Sequence, residues 1–380
     1  MVERIINEYK DEVIRLRREL HRIPELAFEE FKTSEFIKKY IHSLGLKPIN
    51  CNKTGLYFDI GVNPEIALRA DMDGLPINEE TGLQFSSIHP NKMHACGHDA
   101  HMAMLLVVSK IIIEKKLPYS VRCIFQPSEE RIPGGAPGMI KEGVLNGIKR
   151  IFGLHIEPSL KTGEIITKKG AFMAASDEMD IWIKGKGGHA STPEKTQDSI
   201  YLASLFITSL QSIVSRRKDA NTPLVITISS IKAGSVYNII PEEVYMMGTV
   251  RNIDENLLEK SPFMIEKILD GITSTFDADY YLNYRRGYPV LNNDNDSVDV
   301  LKEICKGKFD FKEIPNPIMG GEDFAYYLKN VKGCFAFLGA GGKEGKMSEL
   351  HTENMNFDED AMMNGVYIFL KLCERYGRKD

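Results

Sequence analysis

Three short runs of almost continuously apolar residues constrain the fold of this chain more than any other feature of its sequence. The runs are IALRADMD, SVRCIFQ and RIFGLHI, and a helix that is apolar almost all round is predicted over residues 99–116. Strands that are apolar on both faces are typical of parallel sheets covered by helices. We therefore predict an α/β domain with a mostly parallel sheet and flanking helices.

The pattern changes near residue 176 and changes back near residue 290. In between, DEMDIWIKGKG alternates like a half-exposed strand, and helices are predicted over 196–217 and 255–275. PLVITISSIKAG, EVYMMGTVRN and ADYYLNYRRGY also read as strands. A chain of 380 residues is long enough for two domains. We predict an inserted α+β domain over 176–289, with four largely antiparallel strands and two helices, inside a domain formed by 1–175 and 290–380.

Composition excludes several classes of protein. The net charge of −5 argues against a nucleic-acid surface and against a polybasic membrane patch. The sequence contains no apolar run of about 18 residues, and its N-terminal stretch mixes both charge signs, unlike a secretory signal. Six scattered cysteines are typical of reduced thiols. We expect a cytoplasmic protein that binds neither nucleic acid nor membrane.

The stretch MHACGHDAH, residues 93–101, concentrates potential metal ligands. It holds three of the nine histidines and one of the six cysteines. A lone histidine on a helix is more often structural than a ligand. Other donors, however, follow predicted strands, and sites in open α/β sheets form at the carboxyl ends of strands. These donors are Glu129 and Glu130 after VRCIFQ, His155 in RIFGLHI and His351 beyond GCFAFLGA.

Imidazole, thiolate and carboxylate together suit zinc and neighbouring divalent ions. We expect two ions per subunit, with Zn²⁺ as first choice and Mn²⁺, Co²⁺ and Ni²⁺ as alternatives, because one ion would leave a ligand spare. Two ions about 3.5–4 Å apart can clamp both the attacking and the developing oxygen. The predicted ligands are Cys96, His98, Glu130, His155 and His351.

Adjacent residues of an extended chain point in opposite directions. If Glu130 faces a metal ion, Glu129 can face the substrate and act as a general base. The alternative is a solvated acidic pair after a strand. Asp71, in RADMDGLP, is the predicted partner of a ligand histidine. Asp99 could serve in the same way, and for His94 and His101 supporting and structural roles remain open.

Polar residues that could bind a substrate lie further along the chain. GKGGHAS contains His189, although a tight turn explains a glycine pair equally well. Asn238 and Arg251 offer an amide and a guanidinium, which matches a carboxylate in two-point geometry. Gly320 and Gly321 precede Glu322 in MGGEDFAYYL, which also fits an ordinary capped helix.

Seven stretches together resemble the amidohydrolase branch of the dinuclear aminoacylase/carboxypeptidase family. This branch includes hippurate hydrolases, indoleacetyl–amino acid hydrolases, thermostable carboxypeptidases and N-acetyldiaminopimelate deacetylases. The resemblance covers nearly the whole chain, and the motifs occur in the family's order. They are LHRIPELAFEE, RADMDGLP, MHACGHDAH, FQPSEE, GGHAS, GGEDF and LHTENMNFDEDAM.

The resemblance implies the same five metal ligands, with the Cys96 thiolate as the bridge, and Glu129 as the general base. It implies that His189 stabilises the oxyanion, often across a dimer, and that Asn238 and Arg251 bind the substrate carboxylate. The inserted domain would then be a lid and dimerisation domain, in a homodimer or homotetramer. One departure is FQPSEERIPGGA, where relatives often have alanine before the glutamates. It affects loop shape and specificity more than chemistry.

The expected function is hydrolysis of the amide bond of N-acyl amino acids or of C-terminal peptide bonds. A metal-bridged hydroxide would attack the carbonyl, with Glu129 carrying the proton. A narrower alternative is the N-acetyldiaminopimelate deacetylase reaction of lysine biosynthesis. A cysteine-nucleophile hydrolase using Cys96 and a non-catalytic metal-binding protein are the rivals from other classes.

Overall fold

A computed structural model describes residues 2–378 of the chain in two compact units. Met1, Lys379 and Asp380, at the ends of the predicted outer domain, lie outside the described residues. The first unit comprises the chain up to Phe172, Asn292–Asn316 and the chain from Asp323. The second comprises Met173–Leu291 and Pro317–Glu322. The inserted domain was predicted over residues 176–289. The short segment Pro317–Glu322 also belongs to the second unit, although it lies well beyond residue 289.

The helices and strands are numbered in chain order. The helices are α1 (Val2–Asn7), α2 (Lys10–His21), α3 (Phe31–Ser43), α4 (His98–Glu114), α5 (Ala136–Lys141), α6 (Ser199–Arg216), α7 (Glu255–Thr275), α8 (Asn295–Cys305), α9 (Ala325–Leu328) and α10 (Ala361–Tyr376), with a 3₁₀ turn at Pro193–Lys195. The strands are β1 (Ile49–Asn50), β2 (Leu56–Ile60), β3 (Ile66–Asp71), β4 (Val121–Gln126), β5 (Arg150–Glu157), β6 (Glu164–Thr167), β7 (Gly170–Met173), β8 (Ala175–Lys184), β9 (Gly188–His189), β10 (Leu224–Ala233), β11 (Ile239–Ile240), β12 (Glu243–Asn252), β13 (Asp279–Tyr288), β14 (Leu291–Asn293), β15 (Asp310–Glu313) and β16 (Lys332–Gly339).

The first unit is built on an eight-stranded mixed sheet in the order β1-β2-β4-β3-β5-β16-β6-β15. The central pairs β4–β3, β3–β5 and β5–β16 are parallel, and so is the outer pair β6–β15. The remaining pairs are antiparallel. Every residue of β3 and β4 is buried, as the apolar runs predict. The predicted α/β class, with a mostly parallel sheet and flanking helices, is confirmed.

Helix α4 lies at the centre of the first unit's core. It packs on β3 and β5 and also against α2 and α10. Because it has neighbours around most of its circumference, it is apolar almost all round and most of its residues are buried. Its first turn, which carries His98, is therefore held by rigid packing on several sides.

Apolar positions at helical spacing over residues 3–22 predict one helix, but the structure has two. Helix α1 ends at Asn7, and the Tyr9 amide donates to the Ile6 carbonyl at 2.9 Å in a tight turn. The Tyr9 hydroxyl donates to Glu114 Oε2 at 2.7 Å, at the far end of α4. The break between α1 and α2 is therefore accompanied by a tertiary contact, which the helical spacing of apolar residues cannot predict.

The second unit has its own sheet and its own core. The sheet is antiparallel in the order β10-β12-β8-β13, and α6 and α7 pack against it. Each helix begins after an aspartate whose side chain accepts backbone N–H bonds: Asp198 before α6 and Asp254 before α7. This cap explains why α6 begins at Ser199 and not at the predicted residue 196. Within residues 2–378, no helix is both long enough and apolar enough to cross a membrane.

Candidate metal centre

The candidate centre lies at the carboxyl edge of the parallel strands of the first unit. Asp71 is the last residue of β3, Glu129 and Glu130 follow β4, and His155 lies near the end of β5. His98 is the first residue of α4, which packs on two of these strands. Parallel strands bring their carboxyl ends to one edge of a sheet, so residues distant in sequence meet there.

Two left-handed backbone positions shape the approach of the donors. Gly97 has φ +82°, and a Cβ at this position would lie 3.2 Å from Ile156 Cβ. Glycine tolerates both the positive φ and the close approach of Ile156. Cys96 and His98, on either side of it, belong to the same group of potential ligands. His351 has φ +61°, and its amide donates to the Ala95 carbonyl at 2.8 Å. Its loop is thereby tied to the segment that carries Cys96.

Two groups of potential ligands share the Cys96 thiol. Sγ lies 3.3 Å from His155 Nε2 and 3.3 Å from His351 Nε2. One group contains Cys96, His98 and His155, the other contains Cys96, Glu130 and His351, and ligand atoms within each lie within 4.8 Å of one another. Glu130 Oε1 is 3.2 Å from His351 Nε2 and 4.0 Å from His98 Nε2. Each of these two groups could hold a cation, and Cys96 belongs to both.

The hydrogen bonds of two histidines leave their Nε2 atoms available to a cation. His98 Nδ1 lies 2.8 Å from the Asp73 carbonyl, and His155 Nδ1 lies 2.7 Å from the Ile156 carbonyl. A carbonyl oxygen only accepts, so we assign a proton to each Nδ1. The buried His98 Nε2 has no hydrogen-bond partner among the described residues. Backbone carbonyls commonly orient ligand histidines in this way.

Negative charge dominates the centre. Burial and the charges of Glu130, Glu129 and Asp71 raise the pKa of the Cys96 thiol well above its usual value. Burial lowers the pKa of His98, but Asp71 and Asp73 outweigh it and raise that pKa to about 10. Both shifts mean that the cluster attracts positive charge. The residues present therefore fit a cationic cofactor, and metal-ion binding would release the protons that they hold.

Asp71 is placed differently from the expectation that it orients a ligand histidine. Its Oδ1 is 2.6 Å from His101 Nδ1, and Arg69 Nη1 donates to its Oδ2 at 2.5 Å. His98 Nε2 is 3.7 Å from Oδ2. Burial alone would raise the pKa of Asp71, but Arg69, His98 and His101 hold it well below its usual value. Asp71 is thus a buried carboxylate at the edge of the cluster.

Three residues whose roles the sequence left open now have defined surroundings. His101 Nε2 accepts the Ile156 amide at 2.9 Å, so both of its ring nitrogens are engaged and it supports Asp71 and β5. Asp99 is directed to His21 Nδ1 at 2.8 Å and Arg17 Nε at 2.9 Å, not to a predicted ligand. Neither ring nitrogen of the buried His94 has a hydrogen-bond partner among the described residues.

The expected opposite orientation of Glu129 and Glu130 is not found. The chain bends after β4, and Ser128 adopts a left-handed φ of +53°. His98, Glu129 and Glu130 place ligand atoms within 4.8 Å of one another. Glu129 is buried and Glu130 is partly buried, which rules out a solvated acidic pair.

The remaining predicted residues belong to the second unit. Strand β9 pairs with β11, and the Ala190 amide donates to the Asn238 carbonyl at 3.0 Å, so His189 and Asn238 are neighbours. Arg251 lies half-buried on β12 and donates to Thr249 Oγ1. Gly320 and Gly321 precede the one-turn helix α9, which begins only at Ala325 and not at Glu322. A Cβ at Gly321 would lie 2.6 Å from Ser176 Cβ.

Several residues that support the centre were not predicted from the sequence. Asp73 accepts the backbone amides of Glu129 and Glu130, and Glu30 accepts that of Ser128. Asp323 accepts a hydrogen bond from Arg69 Nη2 at 2.8 Å. One sequence pattern could have indicated them, namely acidic residues next to apolar residues that must be buried. It occurs in RADMDGLP, LAFEEF and GGEDF. Their partners depend on tertiary contacts.

The sequence of this chain is similar to those of several known proteins. The model of peptidase family M20/M25/M40 matches residues 67–375. The chain is 42% identical over 300 residues to the N-acyl-L-amino acid amidohydrolase of Geobacillus stearothermophilus, covering 77% of this chain and 81% of the relative. It is 34% identical over 392 residues to thermostable carboxypeptidase 1 of Saccharolobus solfataricus, with full coverage of both.

A solved structure agrees with these relatives. The YXEP protein of Bacillus subtilis, a dinuclear metal-binding peptidase of the M20 family, superposes with a TM-score of 0.81 at 31% identity, covering 97% of this chain and 98% of that one. A longer relative from Rhodococcus jostii is 37% identical over 367 residues, and the chain spans 46% of its length.

We expect His94 to make the metal-free protein less stable as the pH falls from about 6.5 towards 3. Burial lowers the pKa of His94 to about 3, whereas an unfolded histidine titrates near about 6.5. Between these values the unfolded chain binds a proton that the folded chain does not, so acid favours unfolding. The largest slope from this one group is about 1.4 kcal/mol per pH unit.

The measurement is the free energy of unfolding in urea at several pH values, for the wild type and for His94→Asn. Subtracting the two removes the contribution of the other buried histidines. The variant should lose less stability between pH 6.5 and 4 than the wild type. Parallel curves would show that His94 does not remain neutral in the folded protein.

Proposed function

This chain belongs to peptidase family M20/M25/M40, a family of hydrolases, and we propose that it hydrolyses the amide bond of N-acyl amino acids or the C-terminal bond of short peptides. The observation that carries the proposal is the pair of ligand groups sharing Cys96. Donors from four separated stretches of the chain form these groups. Cys96, His98 and His155 are buried, Glu130 is partly buried and His351 is exposed. The related YXEP protein is a dinuclear metal-binding peptidase, which supports the proposal.

The proposed cofactor is a pair of divalent ions, with Zn²⁺ favoured by the thiolate and imidazole donors and Mn²⁺, Co²⁺ and Ni²⁺ as alternatives. Bound ions would polarise the substrate carbonyl and lower the pKa of a water molecule. The residues that would hold them are Cys96, His98, Glu130, His155 and His351.

Glu129 is the proposed general base. Its carboxylate is buried and lies beside His98 and Glu130, so it can take the proton of the attacking water and deliver it to the leaving nitrogen. Asp71 would hold the electrostatic balance of the cluster through Arg69 and His101. Loss of the proton transfer or of the charge balance would lower the rate of the chemical step more than it would weaken substrate binding.

His189 is the proposed donor to the oxyanion. Its Nδ1 accepts the Ser191 amide at 3.2 Å, which assigns the ring proton to Nε2. The exposed Nε2–H can therefore donate a hydrogen bond to a developing negative charge. Arg251, Asn238, Gly320 and Gly321 are proposed to bind the substrate carboxylate. Burial lowers the pKa of Arg251, although the charges of Glu178 and Asp177 oppose this shift.

Three alternatives remain in view. The narrower one is deacetylation of N-acetyldiaminopimelate, which uses the same chemistry on a different acyl amino acid. A cysteine nucleophile requires a lowered thiol pKa, and burial with nearby carboxylates raises that of Cys96. A protein that only stored metal would have no use for a buried Glu129 beside the ligand cluster.

A side-by-side assay tests the proposed function. The metal-reconstituted protein should hydrolyse at least one of benzoyl-glycine, N-acetyl-diaminopimelate, acyl-arginine and short peptides. A chelator should abolish the activity, and divalent ions should restore it. Activity that survives complete metal removal would support the cysteine-nucleophile alternative. Bound metal without turnover of any substrate would support the non-catalytic alternative.

We expect Glu129→Gln to lower kcat at least about 10²-fold while metal content stays at the wild-type level. The amide keeps the shape of the side chain but cannot take a proton. Metal analysis and steady-state kinetics measure the two quantities. Glu303→Gln, at an exposed position on α8, is the matched control and should leave both unchanged. Wild-type turnover by Glu129→Gln would remove Glu129 from the mechanism.

We further propose a homodimer or homotetramer formed through the second unit. Strand β10 lies at an edge of its sheet, and Val225 and Ile231 on it are 41% and 51% exposed. An apolar edge strand invites pairing with another chain, and a lysine on it opposes pairing. Light scattering after gel filtration should give at least twice the mass of one chain, and Ile231→Lys should lower it. A wild-type mass of one chain would contradict this proposal.

A further inference from the structure

Two buried carboxylates hold three consecutive backbone amides of the loop that carries Glu129. The Ser128 amide donates to Glu30 Oε1 at 2.8 Å. The Glu129 amide donates to Asp73 Oδ1 at 2.9 Å, and the Glu130 amide donates to Asp73 Oδ2 at 3.0 Å. The bonds of Ser128 and Glu129 are buried and that of Glu130 is partly buried, and hydrogen bonds to carboxylates are stronger away from water.

Glu30 is itself fixed on both carboxylate oxygens. Its Oε1 also accepts the Phe28 amide at 3.0 Å, and its Oε2 accepts the Thr54 hydroxyl at 2.5 Å. The side chain is fully buried, and burial together with the charge of Asp73 raises its pKa to about 7. A buried carboxylate is costly unless it is hydrogen-bonded. No predicted metal or substrate role uses this residue, which lies in the stretch LAFEEF.

The loop needs such support because its backbone is unusual. Ser128 has a φ of +53°, which few residues other than glycine adopt. Such conformations persist when the surrounding structure determines them, and they cluster at functional sites. Glu129 and Glu130, the two residues that follow Ser128, contribute to the same group of potential ligands.

We infer that Glu30 is a positioning residue, which fixes the bend at Ser128 and thereby the placement of the Glu129 and Glu130 carboxylates. This inference rests on the proposed function and assigns it a residue outside the metal and substrate sites. Glu30 acts through the Ser128 amide, while Asp73 holds the next two amides. A displacement of about 1 Å at a catalytic group can cost about 10²-fold in rate. Supporting partners of metal ligands change metal affinity by about 10–100-fold.

Glu25 provides a matched control in the same stretch. It is also a buried glutamate, but its carboxylate accepts the amide and hydroxyl of Thr33, at 2.9 and 3.1 Å, in the first turn of α3. Removing it should cost stability without touching the loop. Thr54→Val offers a milder change than Glu30→Ala, because it removes one hydrogen bond to Glu30 and keeps the carboxylate.

The experiment compares the full-length variants Glu30→Ala, Glu30→Gln, Thr54→Val and Glu25→Ala in two measurements. Steady-state kinetics on the best substrate should show kcat at least about 10-fold lower in Glu30→Ala, with KM within about 3-fold of wild type. Titration of the metal-free protein with Co²⁺, followed by visible absorption, should show an affinity about 10-fold weaker. Glu30→Gln keeps an acceptor for both amides and should recover most of each loss. Glu25→Ala should match wild type in both.

Each outcome decides the inference. Wild-type kcat and cobalt affinity in Glu30→Ala, or equal losses in Glu25→Ala, would overturn it while leaving the proposed function intact. If Glu30→Ala does not fold, Thr54→Val decides, because a smaller loss in the same two quantities is expected and wild-type values contradict it. If the wild type hydrolyses no substrate, the proposed function fails and the cobalt titration alone tests Glu30.

Discussion

The burial of excess negative charge at one edge of a sheet is the constraint on which the rest of the centre depends. Asp71, Asp73 and Glu129 are buried around the Cys96 thiol, with Glu130 partly buried beside them. Buried charges persist only when they are paired or hydrogen-bonded. In the metal-free protein Cys96 keeps its proton and His98 gains one, as the directions of their pKa shifts require. Divalent ions would replace both protons, so metal affinity should rise with pH.

The backbone conformation of three turns orients the donors at this edge of the sheet. Gly97, Ser128 and His351 all have left-handed φ values, and each lies in a turn that presents a predicted donor. Packing on α4, the amide bonds to Asp73 and Glu30, and the His351 amide bond to Ala95 hold these turns. The donors thus depend on contacts from distant parts of the chain. Such preorganisation keeps a reactive site in one arrangement before substrate binds.

Sequence patterns were sufficient for the architecture and for the region of the candidate centre. Apolar runs identified β3, β4 and β5, and the parallel topology explains why residues after these strands lie together. The roles of the individual residues stay predictions. The bend at Ser128 was not predictable, because no glycine marks it and its causes, Glu30 and Asp73, lie far away in sequence. The break at Tyr9 and the assignment of Pro317–Glu322 likewise depend on contacts that no local pattern encodes.

The place of β16 in the sheet has a consequence for synthesis of the chain. This strand lies between β5 and β6, yet it begins about 175 residues after β5 ends, beyond the whole of the Met173–Leu291 segment. At about 5–20 residues per second, a ribosome needs roughly 9–35 s to reach it. During that time the edge of β5 has no partner from this strand, and the nascent polypeptide exposes an apolar strand to its surroundings. A chaperone that shields this edge would act before the last helix, α10, exists.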